Sequence, residues 1–235
     1  MSTLAPDARM KIPSSEKTFS LLQAIALVLI SALMFTGAGY LIGKTFFWKT
    51  LTETRIDQQL KYYEATVQAN PKDPQARVNL GYTQLLKGQY DDALQQLKVA
   101  ETIDPKFEAP IYNEGLVYKA QKQYDQALGA FTRAAKVAPR DYKNYLQMGV
   151  IYNIQGKYKD AVAALNKANQ NEPGSADIIY QIGVSAEKTG DKAGAQEMYQ
   201  QAINFDPNYQ DAKDALARLG VKNPSGSLDK GNTVK

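Results

Sequence analysis

Between residues 74 and 209, apolar residues return at steps of three and four, the period of amphipathic helices, and short polar turns interrupt them at regular intervals. The pattern repeats. Displacing the chain by 34 residues superposes Gly81, Gly115, Gly149 and Gly183, then Ala93, Ala127, Ala161 and Ala195, then Ala100, Ala134, Ala168 and Ala202. Pro105, Pro139, Pro173 and Pro207 close each unit in the same register, with no insertion or deletion between units. Self-similarity this strict predicts an all-α array of stacked helix pairs, in which each unit needs its neighbours to bury its apolar face.

The units run 74–107, 108–141, 142–175 and 176–209, each predicted as two helices. In the second unit these cover about 109–121 and 124–137. The turns between them read LLKGQYDDA, AQKQYDQA, IQGKYKDA and EKTGDKAGA. Gly88, Gly156 and Gly190 stand where a helix can end in a left-handed residue, and Lys122 takes that place in the second unit. Before the array, Leu51, Ile56, Leu60, Tyr63 and Val67 mark one more amphipathic helix, which Asn70-Pro71 ends. Segment 44–73 is therefore expected to leave a membrane surface and cap the first unit. A short helix in 210–220, with Ala212, Ala215, Leu216 and Leu219 on one side, is expected to cap the last. Segments 1–18 and 221–235 lack apolar periodicity and are predicted to be disordered.

Residues 19–43 carry no charge, and Trp48, Phe46, Phe47 and Tyr40 lie near their end. A helix of that length matches the roughly 30 Å hydrocarbon core of a bilayer. Aromatic residues are enriched where such helices leave the lipid. A cleaved signal peptide ending after Ala38 and a buried soluble helix are the competing readings. The first would have an overlong apolar stretch, since Leu41 and Ile42 continue it, and the second lacks a free face elsewhere to cover it. The expectation is a single-span anchor. Arg9, Lys11 and Lys17 before it nearly balance Lys44, Lys49 and Arg55 after it, and the amino terminus tips the array to the exocytoplasmic side. Gly39 and Gly43 form a small-residue face through which two spans can associate, although glycine is common in membrane helices in any case.

Composition narrows the chemistry. Neither cysteine nor histidine is present, so thiolate sites, disulfides and imidazole bases are excluded. The net charge of +4 sits at the ends, because residues 74–219 hold 17 Lys and Arg against 17 Asp and Glu. A neutral array does not fit a nucleic-acid binder, which places a basic stripe on its folded part. Its carboxylates read as solvated helix faces, so no enzyme, cofactor or metal is expected.

The repeat resembles the tetratricopeptide family, whose signature is W-x2-L-G-x2-Y followed by A-x3-F, A and P within 34 residues. The third unit shows it as Tyr145, Met148, Gly149, Tyr152, Ala161, Leu165, Ala168 and Pro173, and the second as Ile111, Gly115, Tyr118, Ala127, Phe131, Ala134 and Pro139. Gln84 and Ala186 depart from it at the tyrosine position, and Glu114 stands where a large apolar residue is usual. Glu114 is expected to reach water or a nearby Lys.

The resemblance implies that the first helices line a concave groove. Counting from the start of each unit, positions 2, 6, 9 and 13 share a helical face, with position 5 beside them. Position 6 is Asn79, Asn113, Gln147 and Gln181; position 5 is Val78, Tyr112, Leu146 and Tyr180; position 9 is Tyr82, Leu116, Val150 and Val184. Amides both donate and accept, so this line is a candidate ladder for the backbone of an extended peptide. The plain alternative is a set of polar groups on a solvated surface. A two-carboxylate clamp, known in co-chaperone members, is not expected. Asn113 and Lys143 match it, but Val78, Tyr82 and Gln147 do not. The expected role is a membrane-anchored module that binds a protein or peptide as a scaffold or assembly factor. A permanent structural subunit of a membrane complex is the alternative.

Overall fold

The computed structural model describes residues 51–221 and, within the apolar run, Ile25 and residues 28–31, which are helical. Gly39, Gly43, the rest of the expected anchor and the expected tails, apart from Val221, which packs against the last core cluster, lie outside the described residues. Among the described residues there is no strand, and no helix is long and apolar enough to cross a membrane. Ten helices occupy 51–221: α1 (Leu51–Ala69), α2 (Pro74–Leu86), α3 (Tyr90–Ile103), α4 (Glu108–Ala120), α5 (Tyr124–Val137), α6 (Tyr142–Ile154), α7 (Tyr158–Asn171), α8 (Ala176–Thr189), α9 (Lys192–Phe205) and α10 (Gln210–Arg218). The residues from Ile56 onward form one unit and those up to Arg55 another. Within the former, α2/α3, α4/α5, α6/α7 and α8/α9 pack as pairs, and each second helix packs on the first helix of the next pair.

The chain starts and stops these helices by local chemistry. Asp73 accepts from the amides of Gln75 and Ala76 at 2.9 and 3.1 Å, with Pro74 opening α2 where its missing N–H costs nothing. Asp141 and Asp191 cap α6 and α9 in the same way. Every first helix ends in a left-handed residue: Gly88, Lys122, Gly156 and Gly190 have φ of 75°, 60°, 73° and 90°. The following amide then bonds back across the turn, as Gln123 N does to the Tyr118 carbonyl at 2.8 Å and Lys157 N to that of Tyr152 at 2.9 Å. The second unit keeps this geometry without a glycine.

Each pair closes on one contact. A Cβ built on Gly81, Gly115, Gly149 or Gly183 would lie 3.0, 2.7, 2.5 or 2.7 Å from the side chain of Leu97, Phe131, Leu165 or Tyr199 respectively. All four of those large side chains are buried, and the alanines one turn before them are fully buried. The helix axes therefore approach as closely as the missing methyl group allows. Ala100, Ala134, Ala168 and Ala202 are fully buried as well.

The last pair is sealed by α10. Ala212, Ala215 and Leu216 join Tyr199, Ala202 and Ile203 in one core cluster. Outside it, Arg218 donates to both oxygens of Glu187, at 3.2 and 2.8 Å, and the Tyr199 hydroxyl donates to the same carboxylate at 2.6 Å. At the other end α1 is less deeply engaged. Its Ile56, Leu60, Tyr63 and Val67 are half-buried, and none of its described side chains is fully buried. Asp57 of α1 pairs with Lys87 at the end of α2. Glu114 pairs with an arginine, Arg133, rather than with a lysine; Arg133 also holds Glu101 at 3.2 Å, so the ion pairs join α3, α4 and α5.

Two measurements test this architecture. Alanine should have opposite effects at two glycines: Gly149→Ala meets the buried Leu165 and is expected to destabilise by about 1 to 3 kcal/mol. Gly129→Ala, with no atom within 4 Å in α5, should stabilise by about 0.5 to 1 kcal/mol in urea unfolding. The second concerns acid. The Arg218 hydrogen bonds hold the Glu187 carboxyl below its usual range. Its contribution is therefore present above the unfolded glutamate pKa of about 4.3 and disappears as pH falls through the lower folded value. Hydrogen exchange corrected for intrinsic rates should show the amides of α10 losing protection on acidification before those of α6.

Candidate functional site

The first helices stand side by side, α2 against α4 and α6 against α8. Along their shared face the side chains divide by position. At position 9, Tyr82 is 44% exposed while Leu116, Val150 and Val184 are half-buried. Position 13 adds Leu86 and Ile154, 48% and 54% exposed, two residues that the same helical period names once the column is filled in. Position 5 is the wall of the core. Val78 is 4% exposed and packs with Ala93, Leu97, Ala100 and Val117, so it is not a surface residue. Tyr112 leans on Phe131 with ring centroids 5.5 Å apart, Tyr180 stacks on Tyr199 and Tyr209 at 5.4 Å each, and Leu146 packs against Leu165, Ala168 and Ile178.

The amides at position 6 are not a free ladder. Asn79 Oδ1 accepts from Gln75 Nε2 at 2.9 Å. Asn113 is 9% exposed and donates to the Ala109 carbonyl at 2.8 Å, inside its own helix. Gln147 Oε1 accepts from Lys119 Nζ at 2.5 Å. Asn153 Nδ2 donates to the Gln181 carbonyl at 3.0 Å and reaches Gln181 Oε1 at 3.4 Å, while Ser185 Oγ donates to Asn153 Oδ1 at 2.7 Å. Asn153, Ser185 and Lys119 thus engage the amides, and an arriving backbone would have to exchange with these bonds. A run of Asn and Gln in one column cannot reveal which of them already have partners.

One seam differs from the others. The Cα traces of α4 and α6 approach less closely than those of α2 and α4 or of α6 and α8. Polar side chains meet across this seam. Burial raises the pKa of Glu108 in α4, with Asp141 adding to the effect and Asn144 and Lys143 opposing it. Burial pushes the Tyr112 hydroxyl up to about 12, against a hydrogen bond from the Gln147 side chain that lowers it. Burial likewise lowers the pKa of Lys119. Across the seam Asn144 is fully buried, and neither its Nδ2 nor its Oδ1 completes a hydrogen bond of good geometry; the same holds for Glu108 Oε1. The equivalent of Asn144 is Ala76, Pro110 or Ile178 in the other units, so the repeat alignment contains this signal as one polar residue in an apolar column.

Three family models described as tetratricopeptide repeat match residues 62–95, 112–176 and 152–219, between them more than half of the chain. The chain belongs to the tetratricopeptide repeat family. A thermophilic TPR protein in Thermus thermophilus has a similar fold, at 25% identity and a TM-score of 0.62, over 71% of this chain and 91% of that one. YrrB, a TPR protein with an unusual peptide-binding site, is similar at 20% identity and a TM-score of 0.55, over 84% of this chain and 98% of its own. MamA from Desulfovibrio magneticus RS-1 is similar at 17% identity and a TM-score of 0.56, over 79% of this chain and 96% of its own. The likeness to the last two is one of fold. No curated protein matches the chain. Within the tetratricopeptide array, the exposed large apolar groups of the first helices are Tyr82, Leu86 and Ile154, and buried polar atoms without a hydrogen bond of good geometry occur on Glu108 and Asn144 at the α4/α6 seam and also on Gln84, Gln121, Gln155 and Asn169.

The division between wall and surface can be measured. Val78→Ala should destabilise the array by about 1 to 3 kcal/mol, as a core truncation. Tyr82→Ala should change stability by less than about 0.5 kcal/mol, as a surface one, both read from urea midpoints.

Proposed function

We propose that the chain is a membrane-anchored protein-interaction module whose concave groove takes an extended segment of a partner, and that it serves as a scaffold or assembly factor beside the bilayer. The observation that carries this reading is the exposure of Tyr82, Leu86 and Ile154 on the face shared by the first helices. Large apolar groups on one surface favour a partner that covers them, at about 25 cal/mol per Å² of apolar area removed from water. The fold neighbour YrrB is described as holding a peptide-binding site, which is consistent with a groove of this shape serving the same end. The apolar groups supply contact area for side chains. The engaged amides keep the wall rigid, and Asn79 and Gln147 stand at its polar margin.

The anchor is residues 19–43, uncharged throughout. Ile25, Val28, Leu29 and Ile30, the apolar residues described there, are about half or more exposed, as side chains facing lipid would be. The array then lies on the exocytoplasmic side, and Gly39 and Gly43 offer a face for a second anchor.

The test is binding of fully degenerate, blocked peptides to the full chain reconstituted in phosphatidylcholine nanodiscs, followed by fluorescence anisotropy. The triple variant Tyr82→Ser, Leu86→Ser and Ile154→Ser should lose at least about tenfold in affinity, some 1.4 kcal/mol, with its melting curve close to that of the parent. Unchanged binding by a folded triple variant would remove the groove from the account.

A further inference from the structure

We infer that the α4/α6 seam is a subsite for one basic side chain, an arginine or lysine, of the segment held in the groove, with Glu108 as the residue that binds it and Asn144 as the residue that positions Glu108. This inference rests on the groove reading proposed above and adds to it the chemistry of the bound segment.

The first support is a group of buried polar atoms whose hydrogen bonds are incomplete. Glu108 Oε1 and both polar atoms of Asn144, Nδ2 and Oδ1, are buried without a hydrogen bond of good geometry, while the Asn144 side chain lies near enough to Glu108 to lower its pKa. Buried polar atoms in folded proteins are nearly always paired, and an unpaired one weakens the fold. Asn144 is fully buried, whereas its counterparts Ala76, Pro110 and Ile178 carry no side-chain polar atom at all. Packing alone would be served by any of those residues. An amide lying beside a carboxylate limits the directions the carboxylate can take, and that is a use that an apolar residue cannot supply.

The second support is charge and access. At this end of the seam Glu108 and Asp141 face a single cation, Lys143, which leaves one negative charge in excess. Asp141 is occupied in capping α6, where its Oδ1 accepts from the Lys143 amide at 2.9 Å. Glu108 has no such task, and its residue is only half-buried. A place in the first turn of α4 gives it some favourable interaction with the helix dipole, but that does not explain a buried oxygen without a partner. Tyr112 and Gln147 meet across the same seam, where the Gln147 side chain hydrogen-bonds the Tyr112 hydroxyl and Gln147 Oε1 accepts from Lys119 Nζ.

The third support is width. The first helices α4 and α6 are the successive pair whose Cα traces approach least closely. The ligand class follows from the acceptors. Guanidinium offers five N–H donors in a planar fork and ammonium three, and either is attracted to a partly desolvated carboxylate. An acidic or apolar side chain offers the carboxylate no such donor. Lys119, at the far end of α4, is already held by Gln147 and does not close the site.

The experiment uses the full chain in phosphatidylcholine nanodiscs and four sets of blocked degenerate peptides that share one fixed central residue: arginine, lysine, norleucine or glutamate. Affinities are read by fluorescence anisotropy. The arginine and lysine sets should bind at least about tenfold more tightly than the norleucine set, and the glutamate set should be weakest. Glu108→Gln should bring the arginine-to-norleucine ratio close to one while leaving norleucine binding in place. Asn144→Leu should lower the same ratio and raise the melting temperature, since it removes unpartnered buried atoms. A merely structural role for Asn144 would weaken all sets alike and leave the ratio unchanged. Binding of all four sets with equal affinity overturns the subsite and leaves the groove reading intact. Failure of every set to bind overturns both.

Discussion

In each helix pair a glycine of the first helix lies under a large buried side chain of the second, and the distance between the two helices follows from that contact. A methyl group at Gly149 would sit 2.5 Å from Leu165, and the corresponding places at Gly115 and Gly183 are each 2.7 Å from a ring carbon. Alanine serves the same purpose one layer further on, at Ala100, Ala134, Ala168 and Ala202. Because the same contact recurs every 34 residues, the pairs are alike, and their first helices stand together as α2 with α4 and α6 with α8.

That dependence explains what could be read without coordinates. Glycine, alanine and proline in fixed register describe backbone geometry directly, so the helix pairs and the left-handed position of Lys122 were both legible. The face was legible too, since about 3.6 residues per turn sets which positions point the same way. Two things were not. Position 5 lies on the border of the face, where a small rotation of the helix separates wall from surface, and Val78 falls inside. The amides of position 6 have partners on residues 4 to 28 positions away, such as Ala109 and Lys119, and no periodic pattern records whether a hydrogen bond is already made.

The departure at Asn144 carries a different lesson. Four near-identical units form a built-in control, in which three apolar residues at one position show what packing requires. A fully buried amide in the remaining unit is then a local exception to a rule that the chain itself states. It coincides with the least closely approached pair of first helices and with a half-buried carboxylate, and the three features together set the middle of the array apart from its ends. The ends have their own task. Glu187, Tyr199 and Arg218 lock α10 over the last core cluster, while α1 leaves the first pair more open.

The account stands on the claim that partners meet the face of the first helices. Hydroxyl-radical footprinting of the full chain in nanodiscs, with and without a bound peptide, addresses it most directly. Protection should appear at Tyr82, Leu86 and Ile154 and be absent at Ile103, Val137 and Phe205, which are exposed at the ends of the second helices. Protection of Ile103, Val137 and Phe205 with Tyr82, Leu86 and Ile154 unchanged would contradict the account.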